Sequence, residues 1–267
     1  MVTGQLFGAV AVVTLAIATG FVEAVPAQVP DGGQAPYGYE MPPKRQEAPD
    51  TSIAPSNKPL SVEELQRAEA LLPLLEGKQE FWAIGEFVHL GKPAVSVLAK
   101  AFAMPSPRIR YNAVETLLMI KDPGAVPVLL EVARKPEELS RIREHALRVA
   151  VRLDGASTPP AIEAMAKDPE SAIRKTVAFE ARYVRRKEVV PVLIGLMADE
   201  ERFVAVTAIQ SLWILTRHES EMHDWESSTR ENRQEWAKEW IDWWAVAKDT
   251  FQLPEPRQPR KPLGPQD

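Results

Sequence analysis

The residues whose types could support chemistry gather near the C-terminal end. The run His218-Glu219-Ser220-Glu221-Met222-His223-Asp224 brings two imidazoles and several carboxylates close together. Metal-assisted hydrolysis of the zincin type needs histidines at i and i+4 on a helix, so that both nitrogens face one ion. Here the spacing is i, i+5, and on a helix the two side chains would point about 140° apart. A loop could still gather two histidines and an acid around a metal with an open position. The simpler reading is solvated loop residues ahead of a helix. His89 and His145 stand alone, and the chain has no cysteine, hence no thiolate nucleophile, disulfide or Cys-based metal site. No Gly-rich phosphate loop, serine elbow or paired-carboxylate signature appears. The basic run Arg182-Tyr183-Val184-Arg185-Arg186-Lys187 could meet phosphate or an acidic partner. As the end of a helix it is also accounted for by the macrodipole. The sequence therefore predicts no catalytic residue, no cofactor and no metal.

The elements that would position any site come from a repeat. Ile109-Arg110-x-x-Ala113 recurs as Ile142-Arg143-x-x-Ala146 and Ile173-Arg174-x-x-Val177, then degenerates to Val204-Ala205-x-x-Ala208. The first two arginines are 33 residues apart, and the later steps are 31 each. A second pattern keeps the same spacing: Ala125-Val126-Pro127-Val128-Leu129, Thr158-Pro159-Pro160-Ala161-Ile162 and Val189-Val190-Pro191-Val192-Leu193. A period of this length with two helical segments per unit marks a solenoid. First helices carry Val95, Leu98 and Phe102, then Val126, Leu129 and Val132, then Ile162 and Met165, then Val190, Leu193 and Met197. Second helices carry Ile109, Ala113 and Leu117, then Ile142, Ala146 and Ala150, then Ile173, Val177, Ala181 and Val184, then Val204, Ala208 and Leu212. The small residue in the second turn of each second helix predicts close helix approach. No alternating strand pattern appears, so the fold class is all-α.

Ahead of the repeats, Ser61-x-x-Glu64 has capping-box spacing, and Leu65, Ala68, Leu71, Leu72 and Leu75 keep a helical period that ends at Gly77. A second helix over about 80–90 should turn Phe81, Ile84, Phe87 and Val88 inward. After the repeats, Trp236, Trp240, Trp243 and Ala247 share one helical stripe. Such a helix can cap the open end of a solenoid, or touch a membrane surface or carbohydrate. Membrane-surface helices want a basic polar face. Residues 219–249 hold nine acidic against four basic residues, which favours the cap.

These repeats resemble the HEAT-repeat family (armadillo-like), in the short bacterial form related to the repeats of phycobilin lyases. The resemblance covers about residues 91–217 and extends back toward 61. It implies a right-handed α–α superhelix. It also implies that Arg110, Arg143 and Arg174, with the acids Asp122 and Asp154, tie neighbouring units together. Arg186 stands where the third unit should have an acid, and Ala205 where the fourth should have the arginine, so an arginine ladder is in doubt there. The Trp-rich helix resembles a C-terminal element of exported bacterial HEAT proteins.

The two ends differ in composition. Residues 6–25 carry a single charge, Glu23, and are long enough to span a bilayer, with small residues suited to cleavage at 24 or 27. No Lys or Arg precedes them, which a signal peptide should have, and a buried helix is the remaining reading. Export, cleaved or anchored, is the favoured expectation. The predicted organisation is 1–27 signal peptide or anchor, 28–59 Pro-rich disordered linker with Tyr37 and Tyr39, 60–217 solenoid, 218–251 loop and cap helix, and 252–267 Pro-rich disordered tail.

The expected function is an exported, periplasmic or membrane-tethered scaffold, not an enzyme, that binds a protein partner. The alternatives are an envelope-associated structural protein using the Trp-rich helix, and a bilin-lyase-like or DNA-glycosylase-like enzyme of HEAT fold. Net charge −5 argues against nucleic acid as a partner. In a solenoid the second helices line the inner face that partners use. The repeat spacing predicts two solvent-facing columns there: Glu115, Arg148, Phe179, Gln210 and Met119, Arg152, Tyr183, Ile214. Aromatics, Met and Arg are enriched at interface cores, so Met119, Arg148, Arg152, Phe179, Tyr183 and Gln210 are the candidate partner-binding residues. A slip of repeat register would instead place Phe179 in the core.

Overall fold

The computed structural model describes residues 58–255. The apolar segment 6–25, most of the linker with Tyr37 and Tyr39, and residues 256–267 of the tail lie outside the described residues. Every regular element among the described residues is a helix. α1 (Val62–Leu71) and α2 (Glu80–Leu90) open the stack. Four pairs follow, each a short first helix and a longer second one. They are α3 (Val95–Ala101) with α4 (Pro107–Ile120), α5 (Val126–Arg134) with α6 (Ser140–Asp154), α7 (Pro159–Met165) with α8 (Ser171–Glu180), and α9 (Val190–Leu196) with α10 (Arg202–Thr216). α11 (Arg230–Ala247) ends the fold.

Local chemistry explains most boundaries. Ser61 and Glu64 form the expected capping box at α1. Proline stands in the first turn of α5, α7 and α9, where its missing N–H leaves no helical bond unmade. Two helices are shorter than their apolar spacing suggests. Helical character from Leu65 continues past Leu71 only as the 3-10 turn Leu72–Leu75, because Pro73 has no N–H to donate. α8 stops at Glu180 and tightens into the 3-10 turn Ala181–Tyr183. There Gly155 of the preceding turn comes so close to Val184 that an added Cβ would lie 3.4 Å from its Cα. Phe81, expected inside, is 80% exposed. Glu80 takes the inward place instead, accepting from Arg108 on α4 and from Asn112, with Ala83, Ile84 and Phe87 behind it.

Ile109, Ala113, Ile142, Ala146, Ile173, Val177, Val204 and Ala208 are all buried. Successive second helices therefore pack against one another along the stack, whereas successive first helices scarcely meet.

The repeat arginines stitch the turns between first and second helices. Each is the fourth residue of its helix. Arg110 donates to the Met104 and Pro105 carbonyls of its own turn, both at 2.8 Å, and grips both carboxylate oxygens of Glu138 in the next turn at 2.6 and 2.9 Å. Arg143 donates to the Ala133 carbonyl and to Asp168 and Glu170. Arg174 donates to the Asp168 and Pro169 carbonyls and to Asp199 and Glu200. The acids differ from those the resemblance implied. Neither Asp122 nor Asp154 meets a repeat arginine: both cap their own turns, accepting from the Gly124 and Ala156 amides, and Asp122 also pairs with Lys92 of the preceding unit at 3.9 Å. A short acidic side chain two residues from a turn amide closes that local ring, and it is then not extended toward the arginine of the neighbouring unit.

α10 has Ala205, fully buried, at the arginine position. α11 supplies the missing guanidinium. Arg233 is the fourth residue of α11, 3% exposed, and donates to the Ser228 carbonyl of its own turn and to the Asp199 and Glu200 carbonyls of the preceding one. α11 lies against α9, with Ala237 and Trp240 buried and Trp236, Trp243 and Trp244 packed on the core. Residues 252–255, expected to be free tail, lie against the stack: Leu253 packs on the core, Arg217 donates to the Glu255 carbonyl at 2.6 Å, and Arg185 to that of Pro254. Lys187 donates to the Lys248 carbonyl. The basic run after α8 therefore binds the chain's own C-terminal segment, in place of the helix-end role read from sequence.

Two substitutions test this architecture. Ala146→Leu should overpack the α4–α6 contact and lower stability by about 1–3 kcal/mol, and a thermal melt equal to wild type would contradict the register. Arg233→Met should cost about 1.5–3 kcal/mol through lost charge-assisted bonds, with α11 releasing before the repeats. Proteolysis that still begins elsewhere than α11 would show that Arg233 does not hold it.

Candidate partner-binding face

The second-helix row presents the two predicted columns to solvent. Phe179 is 40% exposed, Tyr183 55% and Met119 51%, with Arg152, Gln210 and Ile214 also exposed and Arg148 and Glu115 half-buried. The register slip that would have buried Phe179 is not what the structure has. The reason is geometric: Ile173 and Val177 face the core, and Phe179 lies two residues, about 200°, beyond Val177 on the helix.

Side chains cross from helix to helix over this face. Arg148 Nε donates to Glu180 Oε1 at 3.1 Å, Thr176 Oγ1 donates to Glu144 Oε2 at 3.1 Å, and Arg182 Nε donates to Ser211 Oγ at 3.1 Å. Arg182 also lies 4.1 Å over the Phe179 ring, and the Phe179 ring meets Tyr183 edge-on at 5.9 Å. Two further cations sit over aromatics of the adjacent helix, Arg141 on Tyr111 and Lys175 on Phe203. Sequence reasoning missed Arg182, Arg141 and Lys175 as members of this face. The usable signal was their place one helical turn, or for Arg141 two turns, from a column position.

Two buried groups lie beneath. Burial pushes the Glu180 carboxyl up, against the Arg148 hydrogen bond and the charges of Arg148, Arg152 and Arg182. His145 stacks on Tyr111 at 4.8 Å, and its Nε2 is 3.0 Å from Glu115 Oε1. That contact is poorly aligned, so neither ring nitrogen has a well-formed hydrogen bond. Burial accordingly pulls the imidazole down, helped by Arg148 and Arg152 and opposed by Glu115.

The residues first singled out for chemistry are placed differently from expectation. His218 and His223 are not solvated loop side chains. His218 stacks on Trp243 at 4.1 Å and meets Trp240 edge-on, while His223 stacks on Trp236 at 4.3 Å. The loop wraps back over α11 because flat imidazoles bury well against indole faces. Each ring is held by a different tryptophan. Among the described residues no group of three His, Asp or Glu side chains is arranged to hold a metal ion.

A family model described as HEAT repeats matches residues 81–150, which run from α2 into α6. Over those residues the chain carries HEAT repeats. A search of curated proteins finds no match. Beyond the matched segment the same helix pairs and the same turn-to-turn arginine contact continue through α7 to α10. These HEAT repeats place the face described above on the row where successive units contact most closely.

Both lowered histidines make a prediction about pH. An unfolded imidazole takes its proton near pH 6.5, whereas burial holds His145 and His218 below that. Their contribution is present above about pH 6.5 and is lost as pH falls through the lowered folded values. The melting temperature should fall between about pH 7 and 5, and fall less in His145→Gln with His218→Gln. An equally steep fall in that double variant would assign the effect to other groups.

Proposed function

We propose that this protein is a non-catalytic HEAT-repeat scaffold that binds a protein partner on the face of its second-helix row, exported or tethered to a membrane. One observation carries the binding reading. Phe179 and Tyr183 stand exposed side by side on a row whose underlying residues are fully packed. Large aromatics on a rigid surface bind with little loss of conformational freedom. Met119 and Ile214 extend the apolar character along the same column. Export is supported by residues 6–25 alone, whose length and lack of charge suit a bilayer or a signal segment. Among the described residues no helix is long and apolar enough to cross a membrane. For the alternative of an envelope contact through α11, the inward placement of Trp236, Trp240 and Trp243 leaves Ile241 and Val246 as the large apolar residues exposed on that helix. This favours the cap.

Phe179→Asp with Tyr183→Asp separates docking from folding. Exposed substitutions usually change stability by about 0.5 kcal/mol or less, so the melt should stay near wild type. Capture of the partner from an envelope extract should be lost. Undiminished capture by the double variant would remove the face from the binding reading. For export, the expected result is the chain in the envelope or periplasmic fraction, with an N-terminus at residue 25 or 28 if cleaved. A cytoplasmic chain that keeps Met1 would count against it.

A further inference from the structure

The chain carries net charge −5, yet the second-helix face has the opposite sign at its centre. Arg141, Arg148 and Arg152 project from α6, Lys175 from α8 and Arg182 from the turn after it. Of the three carboxylates among them, Glu144 and Glu180 accept hydrogen bonds within the protein. Glu115 lies against His145, Glu144 accepts from Thr176, and Glu180, only 2% exposed, accepts from Arg148. Arg148, Arg152 and Arg182 all act on that one buried carboxyl. Of these three guanidinium groups Arg148 donates to that carboxyl and Arg182 to Ser211 Oγ, and burial holds the carboxyl toward its neutral form. Arg148 spends only its Nε there, and Arg152 makes no hydrogen bond or ion pair with any described residue. Like charges held together repel, and an incoming anion would relieve that repulsion. Phe179 and Tyr183 border the same cluster, with Arg182 on the Phe179 ring.

We infer that the partner presents an extended acidic segment with an aromatic or aliphatic anchor. Its carboxylates would pair with Arg148 and Arg152, and its anchor would lie on Phe179 and Tyr183. The guanidinium fork suits carboxylates because two parallel N–H donors meet two oxygens. A peptide suits the site better than a nucleic acid. A phosphodiester strand needs a positive stripe along its length, and here the charge is confined to the middle two repeats, with Met119 on one side and Gln210 and Ile214 on the other. The inference rests on the second-helix face being a docking surface, and it specifies the chemistry that surface accepts.

The test is selection of 12-residue peptides from a random phage-displayed library on the full-length chain at low salt. Synthetic versions of the enriched peptides are then titrated by fluorescence anisotropy. The expected peptides are net negative and carry an aromatic or aliphatic residue. Their affinity should fall about tenfold or more in Arg152→Glu and decline further with added salt. It should vanish in Phe179→Asp with Tyr183→Asp. Arg152 has no partner to lose, so Arg152→Glu keeps the fold. Arg148→Gln, which retains a donor for Glu180, provides a second reading of the same charge. Neutral or basic peptides that require Phe179 and Tyr183 would overturn the acidic assignment and leave the docking face standing. Peptides indifferent to both sets of variants, or no face-dependent binder at all, would overturn both. Labelled oligouridine that binds through Arg152 in preference to acidic peptides would replace the peptide with a nucleic acid.

Discussion

A buried guanidinium cannot be left unpaired, and this constraint organises the fold. Arg143 and Arg174 are almost wholly enclosed, and each reaches from its own unit to the turn of the next. An arginine removed from water needs its donors satisfied, or the desolvation cost exceeds the attraction. In these HEAT repeats the donors are divided between backbone carbonyls of one turn and carboxylates of the following one. Turn therefore follows turn at a defined offset. The helices hang from that stitched edge, and Ala113 and Ala146 let them close up behind it. The edge does not stop where the repeat motif degenerates. Arg233, from a helix of different sequence, occupies the equivalent register and binds the Asp199–Glu200 turn from the far side.

The ends of a stack are its weak points, because a terminal unit has a neighbour on one side only. Here the C-terminal end is closed by three devices that share one surface. The Trp stripe of α11 covers α9, the 218–223 loop lays its two histidines onto that stripe, and residues 252–255 return to the turn after α8. The tryptophans and histidines that look most like site residues are thus used for packing. The second-helix row is left open to solvent, where rigidity comes from the core and side-chain identity is free to vary from unit to unit. That freedom accounts for the change from Glu115 to Arg148 to Phe179 to Gln210 along one column.

Much was legible from residue spacing. A step of 31 to 33 residues between Ile-Arg motifs gave the unit, the helix pairs and the solvent-facing columns, since helical periodicity alone decides which side of Ile173 and Val177 must face water. Proline placement marked the starts of the first helices. What spacing could not supply was the identity of long-range partners. Asp122 and Glu138 are both acids near turns, and nothing local distinguishes one that caps its own loop from one that crosses to the next unit. Phe81 reads as core by pattern, yet the need to bring Glu80 to Arg108 and Asn112 rotates α2 and leaves the ring outside.

By itself the sequence determined an all-helical stack, its period and the direction of each helix face, because these follow from local propensity and the 3.6-residue turn. The tertiary structure alone decided that Arg233 completes the ladder and that His218 and His223 rest on tryptophans. It also decided that Arg148 meets Glu180 and Arg182 meets Ser211. Each of these depends on side chains meeting across separate helices or turns, at distances set by how the units pack, and no one-dimensional spacing encodes that packing.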